Sequence, residues 1–367
     1  MAMDDALARA VTAALRSVED PDLHQDVVSL GFIHDLEVRE GCARFELRLT
    51  TPACPARERL EAESIAAARS VPGVTAVDVR VTARTRSAIA ADAAQETLRG
   101  VRNVVAVGSG KGGVGKSTTA VNLAYALADR GAKVALLDAD LYGPSLHLMT
   151  DAPTPVAPDD GVLPRPPSAD GVGVVSLGQF IPSRRPTLLR GPRVSAVLSQ
   201  LVTGFDWGDL DYLIVDLPPG TGDVHLTLSQ LVPLSGAVLV TTPQEVAVAD
   251  VRKAAAMFRQ LQVPILGVVE TMSGFVCPCC QTRTAIFDEG GGDRVAAEER
   301  TAVIGRVPLD PRIVASGEGG ACVVRAHPDS ASAEAFRQAA GALAARLSVL
   351  AMEGPAERPG AIRWEST

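Results

Sequence analysis

The sequence predicts an α/β protein: a mainly parallel sheet flanked by helices on both faces, with a small N-terminal α/β domain. Three observations carry this. From Val104 onward, short continuously apolar runs alternate with helical stretches, the pattern of parallel strands buried on both faces. A G-x-x-x-x-G-K-[ST] loop sits between a β-branched run and a helix. Ahead of both, the first eighty residues show alternating strands between amphipathic helices, and 367 residues give room for two domains.

In chain order, Leu7, Val11, Leu15 and Val18 recur at helical spacing until Asp20-Pro21-Asp22 breaks the pattern. Phe32 to Val38 and Ala43 to Leu49 alternate as two strands around a Glu40-Gly41 turn. A helix from Ala56 to Ser70 starts behind Pro55, and Val74 to Val81 supplies a further strand, so residues 1–83 form one small α/β unit. Residues 84–100 are polar and Ala-rich and read as a linker. The larger domain, 101–350, contains the runs Val104 to Val107, Val134 to Leu137, Val172 to Val175, Tyr212 to Val215, Ala237 to Val240, Pro264 to Val269 and Ala302 to Ile304. Thr150 to Ala169, rich in Pro and Asp, reads as an exposed loop, and 351–367 as a disordered tail.

Composition narrows the function classes. A formal net charge of −8 without a Lys/Arg cluster argues against nucleic acid as a partner. The apolar runs are far shorter than the ~20 residues a membrane span requires, and the acidic start, Met1-Ala2-Met3-Asp4-Asp5, is not a secretion signal. A cytoplasmic protein that engages neither nucleic acid nor membrane is expected. Of six cysteines, three crowd into four positions, Cys277, Cys279 and Cys280, which suits a metal centre in a reducing compartment better than a disulfide framework. Cys42 and Cys322 read as ordinary buried thiols.

The most informative stretch is Gly110-Lys111-Gly112-Gly113-Val114-Gly115-Lys116-Ser117-Thr118. Its glycines let successive backbone N–H groups converge on phosphates, Lys116 and the helix N-terminus add positive potential, and Ser117 would hold Mg²⁺. The expected ligand is a nucleoside triphosphate. Phosphate-loop enzymes also need acidic residues at neighbouring strand ends. Leu136-Leu137-Asp138-Ala139-Asp140 supplies two, and Asp216 opens a Leu217-Pro218-Pro219-Gly220-Thr221-Gly222-Asp223 loop suited to switching. An Asp after a strand is commonly a helix cap or turn residue, but three phosphate-site motifs in one sheet favour the catalytic reading.

Together, G-K-G-G-V-G-K-S-T, L-D-A-D-L-Y-G-P-S and D-L-P-P-G-T-G-D resemble the deviant phosphate-loop ATPases that include MinD, ParA and nitrogenase iron protein. The resemblance implies a P-loop NTPase sheet, ATP hydrolysis with Mg²⁺, and a homodimer in which Lys111 reaches the partner's nucleotide. It further implies that Asp138 helps activate water, that Asp140 sits in the first switch, and that Asp216 is the Mg²⁺-linked aspartate of the second.

Cys277 and Cys280 form C-x-x-C, which places two thiolates on one centre and leaves its other positions for outside ligands. A symmetric dimer would bring two such pairs together on its axis. From the cysteines alone, structural zinc, an iron–sulfur cluster or a redox thiol pair all remain open. The run from Glu270 through Cys280, with Ile286-Phe287 and Gly290-Gly291-Gly292, is similar to the signature of the Mrp/ApbC iron–sulfur cluster carriers. That resemblance implies a [4Fe-4S] cluster shared between subunits, received from an assembly scaffold and passed to apo iron–sulfur proteins. Cys279, where the family usually has another residue, offers an alternative ligand or a spare thiol. The N-terminal Asp20-Pro21-Asp22, Val27 to Gly31 and Thr51-Pro52-Ala53-Cys54-Pro55 resemble the small domain of PaaD- and SufT-type assembly factors. Cys54 is then either an accessory thiol at a helix start or a small buried cysteine.

Three positions depart from the family pattern. Thr271 replaces an asparagine that contacts the adenine ring in the wider group, which bears on base selectivity; Leu189 replaces a tryptophan, and Gln281 a glycine. The competing readings are a MinD/ParA-like positioning ATPase and an ATPase stapled by structural zinc. The first needs a basic amphipathic tail or basic surface, which the Pro- and Gly-containing tail and acidic composition do not supply.

Overall fold

The structure is a computed structural model that describes residues 2–88, 98, 100–156, 162–181, 191–277, 279–280 and 282–353. Most of the expected linker, residues 157–161 of the Pro-rich loop, Leu189, Gln281 and the tail from 354 lie outside the described residues. The chain divides into two compact units, one formed by Met1–Arg86 with Ala344–Met352, the other containing Ser87–Leu343.

The first unit contains α1 (Ala2–Leu15), β1 (Glu19–Asp20), β2 (Gln25–Asp26), β3 (Ile33–Arg39), β4 (Cys42–Leu49), α2 (Arg57–Arg69) and β5 (Ala76–Ala83). The strands β3, β4 and β5 form one sheet in that order, antiparallel then parallel. Glu40 and Gly41 both have positive φ, 51° and 76°, the geometry of a two-residue hairpin whose twist matches its strands. Along β4 buried positions alternate, and Ala43, Phe45, Leu47 and Leu49 pack with Val11 and Leu15 of α1 and Leu60 and Ala68 of α2. The sheet is therefore covered on one face, which is why this part of the sequence alternates. Asp20 ends the expected helix pattern as a turn residue, its Oδ1 accepting from the Asp22 and Leu23 amides. Cys42 is half-buried rather than buried, because it begins β4 directly behind the exposed hairpin turn.

In the second unit the elements are β6 (Val101–Ser109), α3 (Lys116–Asp129), β7 (Val134–Asp138), α4 (Leu146–Met149), β8 (Ser168–Ala169), β9 (Val172–Ser176), α5 (Gly191–Thr203), β10 (Leu210–Asp216), α6 (Asp223–Leu231), β11 (Gly236–Thr241) and α7 (Glu245–Gln260). They continue as β12 (Ile265–Glu270), β13 (Phe275–Val276), β14 (Arg283–Thr284), α8 (Gly291–Glu298), β15 (Val303–Arg306), α9 (Pro311–Glu318), α10 (Val323–Ala326) and α11 (Ala331–Glu353). Eight strands form one sheet in the order β15-β12-β11-β6-β10-β7-β9-β8, parallel except for the antiparallel edge pair β8–β9. The P-loop strand β6 is central, and β7 and β11 are buried at every position, the signature of strands covered on both faces. The Pro-rich loop thus ends in a strand that the sequence reading does not include.

The last turns of α11 group with the first unit, where Thr50 donates to Ser348 Oγ at 3.0 Å and Met352 packs against the Phe45 core. Phe45→Ala is expected to destabilise this unit by about 3–5 kcal/mol, read as a lowered denaturation midpoint; a change below about 1 kcal/mol would show that this core does not carry the unit.

Candidate functional site

The nucleotide-binding loop connects β6 to α3 at the carboxyl edge of the sheet, next to its centre. Gly115 caps α3 at φ 81°, a left-handed conformation costly for other residues. At Gly110 a Cβ would stand 2.1 Å from the Asp250 carbonyl carbon of α7, so only glycine permits that close approach. The loop is further fixed by the Ser109 hydroxyl donating to the Lys111 carbonyl at 3.0 Å and the Thr119 hydroxyl donating to the Gly115 carbonyl at 2.8 Å. A cavity of about 460 Å³ opens over it, lined on the loop side by Lys111, Gly112, Gly113, Gly115, Lys116, Ser117 and Thr118. Gly110 and Val114 complete the expected loop behind that wall.

Lys116 is buried and its ammonium is held by carboxylates: Asp216 Oδ1 at 2.6 Å and Asp140 Oδ2 at 3.9 Å, with Ser117 Oγ at 3.2 Å. Asp216 Oδ2 is buried and has no hydrogen-bond partner among the described residues. Burial pushes the Asp216 carboxyl up and Lys116 opposes this. Asp138, directly beside Asp216 in the β7–β10 register, is also fully buried. Burial first and the neighbouring Asp216 charge second push it up to about 7. Its Oδ2 accepts from the amides of Ser145 and Leu146 at 3.0 and 3.1 Å and from the Ser176 hydroxyl at 2.8 Å, while Oδ1 accepts from the Asp140 amide at 3.2 Å. Asp138 therefore ties down the whole segment that carries Asp140.

Behind the Pro218-Pro219-Gly220 turn lies His225, 3% exposed. Its Nδ1 is 3.1 Å from the Gly222 carbonyl, which can only accept, so Nδ1 carries the hydrogen. Burial lowers its pKa and keeps the ring neutral.

The far wall of the cavity comes from Thr271 and Met272, after β12, and from Val307, Pro308 and Leu309, after β15. The Thr271 hydroxyl reaches the Val114 carbonyl at 2.6 Å and the Thr241 carbonyl at 3.1 Å. Its hydroxyl is thus engaged by backbone carbonyls, at a position where the wider group has a base-contacting asparagine.

Beyond this wall, β13 and β14 form a small hairpin that carries the cysteines. Cys277 is half-buried, and Cys279 and Cys280 are exposed. Cys280 Sγ lies 3.3 Å from the Thr282 hydroxyl. Hydrogen bonds from the Thr282 side chain and amide, and then from Cys277, hold the Cys280 thiol below its ordinary range. Among the described residues no group of three or more His, Cys, Asp or Glu side chains converges as a metal site.

The family model described as NUBPL iron-transfer P-loop NTPase matches residues 100–344, and one described as iron-sulfur cluster assembly protein matches residues 8–81. The chain belongs to the NUBPL iron-transfer P-loop NTPase family. It is 45% identical over 348 residues to the iron-sulfur cluster carrier protein of Deinococcus radiodurans, covering 95% of this chain and 96% of that one. To the Escherichia coli protein of the same name it is 37% identical, covering 94% and 93%. A nucleotide-binding protein from Archaeoglobus fulgidus, solved in complex with ADP, superposes with a TM-score of 0.56 at 36% identity, covering 66% of this chain and 95% of that one.

Within this P-loop NTPase, the structure brings together Lys111, Lys116, Ser117 and Asp140 around one cavity, with Asp138 and Asp216 buried beneath it. Cys277, Cys279 and Cys280 stand apart on their hairpin. Cys54 belongs to the first unit, half-buried and ahead of α2, whose cap is Ala56, so it lies outside the first helical turn. Sequence reasoning missed Ser176, Thr271 as a loop brace, and the Val307 to Asp310 wall. The last had a signal in Asp310-Pro311, where Asp310 caps α9 and accepts from the Arg312 amide at 3.0 Å. No described helix is long and apolar enough to cross a membrane.

Asp138 holds its proton more tightly folded than unfolded, so the stability that proton confers is present at low pH and lost as pH rises from about 4 through 7. The stability of wild type relative to Asp138→Asn is therefore expected to fall between pH 5 and 8, by no more than about 4 kcal/mol. Denaturant unfolding of the nucleotide-free protein at both pH values checks this; a difference that stays constant would contradict it.

Proposed function

We propose that this protein is an ATP-hydrolysing iron–sulfur cluster carrier that binds a [4Fe-4S] cluster through Cys277 and Cys280 of two subunits and hands it to apo-proteins. The observation that supports this most is the pairing, in one unit, of a complete phosphate loop with a hairpin of three cysteines, two of them exposed, that cannot by itself fill four ligand positions. A second subunit would supply the missing thiolates across a two-fold axis. The names of the Deinococcus and Escherichia coli relatives agree with this reading.

For ATP turnover the loop amides and the N-terminus of α3 would bind the phosphates, and Lys116 would place its charge beside the transferred group. Lys111 would reach the nucleotide of the partner subunit. The oxygen donors present suit Mg²⁺: the Ser117 hydroxyl, and Asp216, whose buried Oδ2 has no partner among the described residues. Mg²⁺ there would offset phosphate charge in the transition state. Asp140, anchored through its amide to Asp138, lies beside Lys116 and would mark the first switch. Asp138, with its raised pKa, has the proton affinity of a base working near neutral pH. It would reach water only when the Ser145 and Leu146 amides withdraw. Cys279 would serve as an alternative ligand next to the pair, and Cys54 as an accessory thiol of the first unit. The cytoplasm, where thiols stay reduced, is the fitting compartment.

Anaerobic iron–sulfide reconstitution followed by Mössbauer spectroscopy and iron, sulfide and zinc analysis tests the reading. One [4Fe-4S] cluster per dimer is expected, absent from Cys277→Ala/Cys280→Ala; stoichiometric zinc without a stable cluster would overturn it. Lys116→Ala is expected to lower ATP turnover by roughly 10² or more while leaving reconstitution intact, as followed by phosphate release. Turnover within about twofold of wild type would remove Lys116 from the catalytic machinery.

A further inference from the structure

The cavity and the cysteine hairpin are joined by a short, continuously bonded stretch of chain. Thr271 and Met272 line the cavity, and Cys277 follows in the same segment. Along it, the Thr271 amide donates to the Thr241 carbonyl at 2.9 Å, and the Ser273 amide to the Val307 carbonyl at 2.9 Å. The Leu309 amide donates to the Gly274 carbonyl at 2.7 Å, Phe275 bridges Leu309 in parallel, and the Cys277 amide donates to the Thr282 carbonyl at 3.0 Å. Val307 and Leu309 line the cavity as well. Two of the segments that line the cavity are therefore the two on which the hairpin rests. One of the cavity-lining residues, Met272, is held at φ 52°, a sparsely populated conformation for a non-glycine residue and a place where strain can be stored.

A buried carboxylate fixes the root of the hairpin. Glu270, 1% exposed, accepts from the Ser273 hydroxyl at 2.7 Å through Oε1 and from the Gly292 amide at 2.6 Å through Oε2. From the returning strand β14, Arg283 Nη2 donates to the Ser273 carbonyl at 3.2 Å and lies 3.4 Å from its hydroxyl. Ser273 thus binds both limbs of the hairpin to Glu270, and neither Ser273 nor Arg283 lines the cavity.

We propose that Glu270, Ser273 and Arg283 are positioning residues that couple nucleotide occupancy of the cavity to the placement of the Cys277 and Cys280 thiols in the same chain. The proposal rests on the ATP-driven carrier reading and specifies the route of its coupling. A nucleotide that presses differently on Met272 and Leu309 in its triphosphate and diphosphate forms would bias the hairpin accordingly, as any two-state element responds to differential contacts.

The test uses the cluster-free, reduced, full-length protein. Iodoacetamide alkylation of Cys277 and Cys280 is followed by mass spectrometry without nucleotide, with Mg-ADP and with a non-hydrolysable ATP analogue, each at a saturating concentration fixed by calorimetry. Buried Cys322 in the same digests gauges global opening. In wild type the alkylation rates are expected to differ on the order of 5-fold or more between nucleotide states, the range of ordinary allosteric couplings. In Ser273→Ala and Arg283→Gln the ratio is expected to fall to within about twofold of one, with nucleotide affinity retained and Cys322 still protected. A wild-type ratio of one, or a wild-type ratio preserved in both variants, overturns the proposal. Because bare thiols are read, a protein that shows this ratio yet holds no cluster would sink the carrier reading and leave the coupling standing.

Discussion

The site depends on one electrostatic constraint. Parallel pairing of β7 and β10 puts Asp138 and Asp216 side by side at the carboxyl edge of the sheet, both fully buried. Two desolvated carboxylates at neighbouring positions repel each other, and the buried Lys116 ammonium, 2.6 Å from Asp216, offsets that cost. Lys116 opens α3, so the helix, the phosphate loop and both acidic strand ends are fixed by the same contact. The segments that follow hang from it: residues 140–146 through three of the four hydrogen bonds of Asp138, and the Pro218 to Gly222 turn one residue beyond Asp216. A group that competes for the Lys116 ammonium, as a phosphate does, acts on all of them together.

The cysteine hairpin has the opposite character. Among the described residues it contributes no buried apolar side chain to the cores, and Cys279 and Cys280 are exposed at its turn. A site that releases its cargo needs that exposure, whereas a purely structural metal would favour an enclosed one. The hairpin is anchored at its root, through Glu270, Ser273 and the Leu309 amide.

Much of this was legible because the relevant signals are local. The phosphate loop announces itself by glycines whose conformations no other residue takes readily, and the strands of the large sheet by continuous apolar runs that only two-sided burial explains. Pairing was not legible: nothing in the run from Val101 to Ser109 says that β6 lies between β10 and β11 rather than beside β7. The two-residue strand β8 is too short to show an alternation, and Pro166 and Pro167 just before it read as loop. Thr271 stood out only as a departure from the family asparagine, and nothing in its local sequence says that its hydroxyl braces Val114, a partner 157 residues away. Glu270, Ser273 and Arg283 form a network only after the hairpin closes, so spacing alone could not reveal it. In the first unit, Cys54 sits ahead of α2 because the helix begins at Arg57 with Ala56 as its cap, not within the Thr51 to Cys54 segment.

The most direct measurement of the central claim is delivery. Reconstituted protein is mixed anaerobically with an apo iron–sulfur protein, with ATP and without, in the presence of an iron chelator, and the recipient's cluster is followed by its visible circular dichroism. The account predicts that the recipient gains its cluster in step with loss from this protein, unaffected by the chelator and faster with ATP. Iron captured by the chelator while the recipient stays empty would contradict it.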